Sequence, residues 1–224
     1  ETEDRDLTEA SGGVQLVWPY AAVRSTAGNT YARGGDFATH FGTKNTYGIY
    51  SYGGTIAAGG EAGTAEPEFR AYGDGVCINM EAEAGNADVT STLTIVSGVF
   101  SSEEGDTVSI SGGKMTVYAG TFSKTGCRFA AADEDRPQAH TAVIRMQGGE
   151  LSIRGSEKDK VVLCAGSETS PLENVFGIRA GEGTVSVSGC EIGVYGVYSA
   201  GVLSYNGEVN LQGTSIHVTQ KNEG

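Results

Sequence analysis

Several residue types and patterns are scarce in this sequence of 224 residues, and each scarcity excludes a class of protein. Proline occurs only 4 times beside 35 glycines, which excludes a Pro-rich disordered chain and a collagen-like chain. No apolar run approaches the roughly 20 residues that a membrane-spanning helix needs, so we expect no membrane insertion. Basic residues number 15 against 28 acidic ones, and the net charge of −13 argues against nucleic acid or anionic lipid as a partner.

Metal and cofactor motifs are also missing from the sequence. The four cysteines are Cys77, Cys127, Cys164 and Cys190, and no two of them have the C-x-x-C spacing of a zinc site. All but Cys127 lie among Val, Ile and Leu residues, which indicates small buried side chains; a disulfide between neighbouring repeats is the alternative. No phosphate loop, dinucleotide fingerprint or nucleophile motif occurs, so we expect neither a metal nor a cofactor.

The sequence does contain a short repeated phrase. A glycine or serine is followed by apolar residues two and four places later, and then by another glycine, as in Gly113-Lys114-Met115-Thr116-Val117-Tyr118-Ala119-Gly120. Alternation with a period of two, closed by glycine, is typical of a short strand that buries one face and ends in a sharp turn. The six copies begin at Gly54, Ser91, Gly113, Gly149, Gly183 and Gly207.

The spacing of the copies predicts the architecture. Ser91 and Gly113 are 22 residues apart and Gly183 and Gly207 are 24 apart, whereas Gly54 and Ser91 are 37 apart. The short values indicate a bare repeat and the long values a repeat with an insertion, as in a solenoid. We therefore predict an all-β, single-domain, right-handed parallel β-helix of about seven to nine coils, spanning residues 46–218.

Stacking of the copies predicts which side chains are inside. One interior ladder should contain Leu93, Met115, Leu151, Val185 and Val209, and a second Ile95, Val117, Ile153, Val187 and Leu211. The alternating residues should face solvent: Thr94, Thr116, Ser152, Ser186 and Asn210. A second apolar strand precedes most copies and a single large apolar residue follows, so we expect two long sides and one short side in each coil.

Some segments do not follow the repeat. Residues 1–45 are expected to form an N-terminal cap or irregular first coils, and residues 219–224 a polar tail. Helical periodicity is almost absent; candidate helices are Glu1–Ala10 and part of Thr64–Ala71. A further motif, aromatic-Gly-aliphatic-x-small, begins at Tyr47, Phe176 and Tyr195, where we expect coils to start.

Two parts of the sequence resemble a known family. They are Val108–Phe122, which reads VSISGGKMTVYAGTF, and the Tyr-Gly-Ile motif at Tyr47. The sequence resembles the Gly- and Thr-rich parallel β-helix regions, of the pectate-lyase-like superfold, in secreted or wall-attached bacterial proteins, many of them from gut anaerobes. The resemblance implies a bacterial protein that is extracellular or attached to the cell surface. No signal peptide is present, and both ends of the sequence are expected to be boundaries within a longer protein.

The same resemblance leaves the function open, because related β-helices include polysaccharide lyases, glycoside hydrolases, adhesins and carbohydrate-binding modules. The hydrolases share an Asp-Asp, an Asn-Thr-Asp and a Gly-His-Gly motif, none of which occurs here. We therefore expect a non-catalytic binding or adhesion module, or a rigid stalk, with a glycan or a host surface protein as partner. The alternative is a polysaccharide lyase or glycoside hydrolase.

Candidate ligand-binding residues come from two places. N-terminal aromatic residues could stack against sugars, although they could instead fill the core or seal the cap. The acidic insertion Asp133–His140 could place carboxylates, an Arg and a His beside a groove, or could be a solvated loop. The candidates are Trp18, Tyr20, Tyr31, Tyr47, Tyr50, Tyr52, Asp133, Asp135, Arg136 and His140.

Overall fold

The computed structural model of the protein describes residues 20–26, 28–39, 46–59, 65–81, 91–126 and 141–220. These residues form 22 strands and no helix. None of the described residues therefore lies in a helix that is long and apolar enough to cross a membrane.

The strands form three sheets, in which neighbouring strands are parallel. Sheet A contains β1 (Tyr20–Ser25), β4 (Thr46–Ser51), β7 (Val76–Met80), β10 (Val108–Ile110), β13 (Thr141–Met146), β17 (Val175–Ala180) and β20 (Ala200–Ser204). Sheet B contains β2 (Asn29–Ala32), β5 (Thr55–Ala58), β8 (Thr92–Ile95), β11 (Lys114–Val117), β14 (Glu150–Arg154), β18 (Thr184–Ser188) and β21 (Glu208–Gln212). Sheet C contains β3 (Asp36–Thr39), β6 (Glu68–Ala71), β9 (Val99–Ser102), β12 (Gly120–Lys124), β15 (Val161–Ala165), β16 (Leu172–Glu173), β19 (Cys190–Val197) and β22 (Ser215–Thr219).

The chain passes through sheets A, B and C in turn, and each passage makes one coil. β1, β2 and β3 form the first coil and pair with β4, β5 and β6 of the second. β20, β21 and β22 form the seventh coil and pair with β17, β18 and β19. The structure confirms the predicted all-β parallel β-helix, with seven coils.

The first coil lies inside the N-terminal segment that departs from the repeat. Residues 20–26 and 28–39 contain β1, β2 and β3, which pair in register with the second coil. Residues 1–19 and 40–45, the rest of the expected cap or irregular coils, lie outside the described residues, and so does the candidate helix Glu1–Ala10.

Both predicted interior ladders are formed in sheet B. Met115 pairs with Leu93 and Leu151, and the ladder continues through Val185 to Val209. Val117 pairs with Ile95 and Ile153, and that ladder continues to Leu211. The inward side chains of the middle coils are fully buried because each lies between equivalents above and below it.

A stack of phenylalanine rings lines the inner side of sheet C. The ring centroids are 4.5 Å apart for Phe37 and Phe69, 5.5 Å for Phe69 and Phe100, and 4.8 Å for Phe100 and Phe122. Leu163, Ile192 and Ile216 continue the same ladder to the last coil. Sheet C is therefore a full side of the helix with strands of up to eight residues, where the sequence suggested a short side.

Two further expectations are corrected by the structure. The helix expected within Thr64–Ala71 is not formed, since Glu68–Ala71 is strand β6 and Phe69 belongs to the ring stack. The aromatic-Gly motifs at Tyr47 and Phe176 begin equivalent strands of sheet A, whereas the one at Tyr195 lies at the end of β19 in sheet C. There Gly196 lies against the carbonyl group of Leu172, so the same sequence motif occurs at a different corner of the coil.

Candidate functional site

The outer face of sheet B carries three parallel rows of side chains, one residue from each coil. Row 1 contains Asn29, Thr55, Thr92, Lys114, Glu150, Thr184 and Glu208. Row 2 contains Tyr31, Ala57, Thr94, Thr116, Ser152, Ser186 and Asn210. Row 3, at the ends of the strands, contains Arg33, Gly59, Val96, Tyr118, Arg154, Ser188 and Gln212.

Row 2 is flat, because six of its seven side chains are small. Neighbouring strands lie about 4.8 Å apart, so the row extends over roughly 29 Å from the first coil to the seventh. Its first member, Tyr31, is 62% exposed, and the neighbouring residue in the second coil is Ala57. The Tyr31 ring therefore lies at one end of a flat row of small side chains that present methyl, hydroxyl and amide groups.

Row 3 adds a second aromatic residue and two guanidinium groups. Tyr118 is 42% exposed, and Arg154 occupies the equivalent position of the next coil, because Val117 and Ile153 are paired. At the N-terminal end the Arg33 guanidinium lies 5.7 Å from the centroid of the Tyr31 ring. The Tyr31 ring therefore lies close to a cationic side chain, and Tyr118 has a cationic residue at the equivalent position of the next coil.

The C-terminal half of the face forms a shallow depression with a volume of about 710 Å³. Six polar side chains from three coils line it: Ser152, Arg154, Ser186, Ser188, Asn210 and Gln212. Within it the Arg154 Nε donates a hydrogen bond of 3.0 Å to the Ser152 Oγ. The depression offers hydroxyl, amide and guanidinium groups at the spacing of the coils.

The charge of this face differs from that of the whole chain. Its three rows contain three basic side chains, on Arg33, Lys114 and Arg154, and two acidic ones, on Glu150 and Glu208, which gives +1 against −13 for the chain. Lys114 Nζ lies 3.2 Å from Glu150 Oε2, and Asn210 Nδ2 donates to Glu208 Oε1 at 2.9 Å. Both carboxylates therefore have a partner within the face.

Of the predicted candidate residues that the structure describes, only Tyr31 lies on this face. Tyr47 and Tyr50 lie together in β4 of sheet A, with ring centroids 5.2 Å apart, and both are buried. The Tyr50 hydroxyl donates to Glu81 Oε2 at 3.0 Å, and burial and this carboxylate raise the pKa of Tyr50. The faces of these two rings are not available for stacking against a sugar.

The other two described candidates, Tyr20 and Tyr52, do not join Tyr31. Tyr20 lies in β1 of sheet A, and Tyr52 is partly buried immediately after β4. Trp18, Asp133, Asp135, Arg136 and His140 lie outside the described residues.

Sequence reasoning did not select Tyr118, Arg33 or Arg154. The signal was nevertheless present, because each follows directly after the second apolar residue of a sheet B strand. Once an interior ladder is fixed, the residues on either side of each rung must point outward. Searching the flanks of the ladders, rather than the aromatic-rich N-terminal segment, would have found this surface.

The thiols and carboxylates of the described residues do not form a metal or disulfide site. No group of three His, Cys, Asp or Glu side chains there could hold a metal ion. Cys77, Cys164 and Cys190 are free, so none of these three forms the disulfide considered above, and Cys127 lies outside the described residues. Burial raises the pKa of the Cys190 thiol to about 12 and also raises that of Cys77, which favours the uncharged form.

Comparison of the chain with protein-family models, with curated proteins and with solved structures finds no significant match. The parallel β-helix itself therefore rests on the strand pairing described above. Function has to be inferred from the surfaces of this coil.

Proposed function

We propose that this chain is a non-catalytic binding module of a secreted or surface-attached bacterial protein, and that the outer face of sheet B binds an extended glycan. The observation that supports this most directly is the exposed Tyr31 ring at the head of a flat polar row. Sugars stack their apolar faces on exposed aromatic rings, and their hydroxyl groups exchange hydrogen bonds with polar side chains.

The shape of the face favours a long ligand. Row 2 has no bulky side chain between Tyr31 and Asn210, so a polymer lying along the helix axis would meet no obstruction. Tyr118 in the fourth coil and the depression beside Arg154 in the fifth supply further contacts along the same line. Contacts repeated by successive coils would make affinity increase with the length of the glycan.

The composition of the face favours a glycan over a protein partner. Protein interfaces are centred on apolar and aromatic residues, whereas this face has only Val96 and Tyr118 as large exposed apolar side chains away from Tyr31. The two carboxylates, on Glu150 and Glu208, are paired with neighbours and project from the same row. Glycoside hydrolases typically place two carboxyl groups on either side of the scissile bond, whereas each of these two is paired within the face, which favours a binding role over glycoside hydrolysis.

A screen of polysaccharides and oligosaccharides against the purified chain tests the proposal, followed by titration of the best ligand by calorimetry. We expect Tyr31→Ala and Tyr118→Ala each to weaken binding roughly tenfold, about 1.4 kcal/mol. Tyr198→Ala is the matched control, because Tyr198 is 78% exposed but lies at the corner between β19 and β20. This variant should bind as the unmodified chain does.

Three results would contradict the proposal. Failure of every glycan to bind above background would leave a stalk or a protein-binding module. If Tyr198→Ala abolished binding while Tyr31→Ala and Tyr118→Ala left it intact, the site would lie outside the outer face of sheet B. Release of shortened products from the bound glycan would support the lyase or hydrolase alternative.

A further inference from the structure

The guanidinium group of Arg154 has no carboxylate partner in the described part of the chain. Its Nε donates to the Ser152 hydroxyl, and its terminal nitrogens form no hydrogen bond or ion pair with a described residue. The other basic residues of the sheet B face differ, since Lys114 is paired with Glu150 and Arg33 lies against the Tyr31 ring. The exposed Arg154 side chain can therefore take a counter-ion from outside the chain.

The surroundings of this guanidinium group in the depression are neutral. The other described residues that line the depression are serine, asparagine, glutamine and aliphatic residues. Within the described ranges, the Ser186 hydroxyl and the Gln212 amide group form no hydrogen bond, so both can donate to a ligand. The depression thus combines one positive charge with hydrogen-bond donors from neighbouring coils.

The stacking of the coils places these donors around a gap. Arg154, Ser188 and Gln212 occupy equivalent positions of the fifth, sixth and seventh coils. The Ser188 hydroxyl donates to the Ile153 carbonyl oxygen at 3.1 Å, so this short side chain is held against the backbone. Two strand spacings, roughly 10 Å, separate the backbone positions of Arg154 and Gln212. A small group that lies over Ser188 is therefore within reach of both long side chains.

We propose that the depression binds an anionic group of the glycan, a carboxylate or a sulfate ester, and this inference rests on the proposed function of the face. The terminal nitrogens of a guanidinium group can form two parallel hydrogen bonds with two oxygens of such a group. Charge-assisted hydrogen bonds of this kind are stronger than those between neutral groups. A neutral sugar could use the same donors but would gain less from the charge on Arg154.

The net charge of −13 on the whole chain does not prevent this binding. It repels a polyanion at a distance, but salt at about 0.1 M screens such repulsion beyond about 10 Å. The contacts inside the depression then determine the affinity. Binding should therefore be measured at about 0.15 M salt, where long-range repulsion is weak.

Two pairs of soluble polysaccharides test the proposal, because the members of each pair share a backbone and differ in charge. Carboxymethyl cellulose and hydroxyethyl cellulose test a carboxylate, and dextran sulfate and dextran test a sulfate ester. Calorimetric titration should show that the anionic member of at least one pair binds about tenfold or more tightly than its neutral partner. The pair that shows this difference identifies which anionic group the depression accepts.

The variant Arg154→Gln tests whether the preference arises in the depression. We expect it to weaken binding of the anionic member by about tenfold or more and to leave binding of the neutral member unchanged. Lys158→Gln is the matched control, because it removes the same charge from an exposed residue that does not line the depression. This control should retain the affinity for the anionic member. Circular dichroism of both variants shows whether they keep their strand content.

The possible failures distinguish this inference from the proposed function. If neutral polysaccharides bound as tightly as their anionic partners, glycan binding would stand and the anionic site would be wrong. Equal losses of affinity in Arg154→Gln and Lys158→Gln would also overturn the inference, because the effect would then be one of overall charge. If no polysaccharide bound in these pairs or in the wider screen, both the inference and the proposed function would fail.

Discussion

The ammonium group of Lys124 donates a hydrogen bond of 2.6 Å to the carbonyl oxygen of Glu104, inside the β-helix. It also donates to the carbonyl groups of Glu103 and Gly105, so one side chain of the fourth coil holds three backbone acceptors of the preceding corner. The lysine is 1% exposed and occupies a ladder position where the next coil has Ala165. A charged residue therefore replaces an apolar one at this point of the core.

Replacing this lysine should destabilise the fold markedly. Lys124→Met keeps the aliphatic stem but removes three hydrogen bonds. The carbonyl groups of Glu103 and Gly105 keep the Gly126 N–H and the Ser102 hydroxyl as donors, whereas that of Glu104 loses its donor, and a buried acceptor left unsatisfied costs about 1–3 kcal/mol. We expect a decrease of about 3 kcal/mol in the free energy of unfolding, measured by urea denaturation. Lys158→Met, at an exposed position, is the control and should change it by less than about 0.5 kcal/mol. Equal stability of both variants would show that the three hydrogen bonds contribute little.

Two glycines in adjoining sheets should differ in how much stability is lost when each is replaced by alanine. A Cβ at Gly177 would meet the Ile192 side chain and would lie 2.5 Å from the Gly201 carbonyl oxygen. A Cβ at Gly193 would have the Tyr195 ring as its nearest neighbour, at 3.7 Å. We expect Gly177→Ala to lower the unfolding free energy by about 3 kcal/mol and Gly193→Ala to leave it within about 0.5 kcal/mol. If thermal unfolding showed the same loss for both, the close packing inferred at Gly177 would be wrong.

The architecture was predictable from the sequence because each strand of sheet B from the second coil onward contains one copy of the same short pattern. Met115 and Leu151 occupy the same place in their phrases, so their pairing follows from counting residues. Lys124 could not be predicted in this way, because its burial depends on carbonyl groups of another corner, which have no sequence signature. The orientation of Tyr47 was equally hidden, since two consecutive inward residues, Gly48 and Ile49, interrupt the alternation of β4.

Stability should decrease at alkaline pH because of the buried thiols. The pKa of Cys190 rises from the reference value of 9.0 to about 12 in the folded chain, through burial and the neighbouring Glu191 carboxylate. The folded-state pKa is raised, so this stability is fully present below pH 9 and is lost as the pH rises towards 12. Each such thiol should reduce the unfolding free energy by about 1.4 kcal/mol per pH unit within that window.

The matched experiment compares the unmodified chain with Cys190→Ala. Urea denaturation of both at pH 8.0 and pH 10.5 removes contributions that the two chains share, such as the titration of tyrosines. Between these values the unmodified chain should lose about 2 kcal/mol more than the variant. A pH dependence that is identical in the two chains would show that the Cys190 thiol ionises as readily folded as unfolded.

The position of a phenylalanine in the ring stack should determine how much stability it contributes. Phe100 is fully buried between Phe69 and Phe122, whereas Phe37 ends the stack and is partly exposed. Phe100→Ala removes two ring contacts and leaves a cavity inside the third coil, so we expect a loss of about 4 kcal/mol. Phe37→Ala removes one contact where solvent can enter, and the expected loss is about 1.5 kcal/mol.

This difference also tests whether stability passes from coil to coil. In a solenoid each coil is stabilised by its neighbours, so a cavity in the third coil weakens contacts on both sides, while one in the first coil weakens a single contact. Denaturation monitored by circular dichroism should remain one cooperative transition for Phe37→Ala. For Phe100→Ala we expect a broadened or divided transition, as the coils on either side of the cavity uncouple. If the two variants instead showed single transitions of equal sharpness and equal losses of unfolding free energy, the helix would unfold as one unit. The position of a phenylalanine in the ring stack would then not affect its contribution to stability.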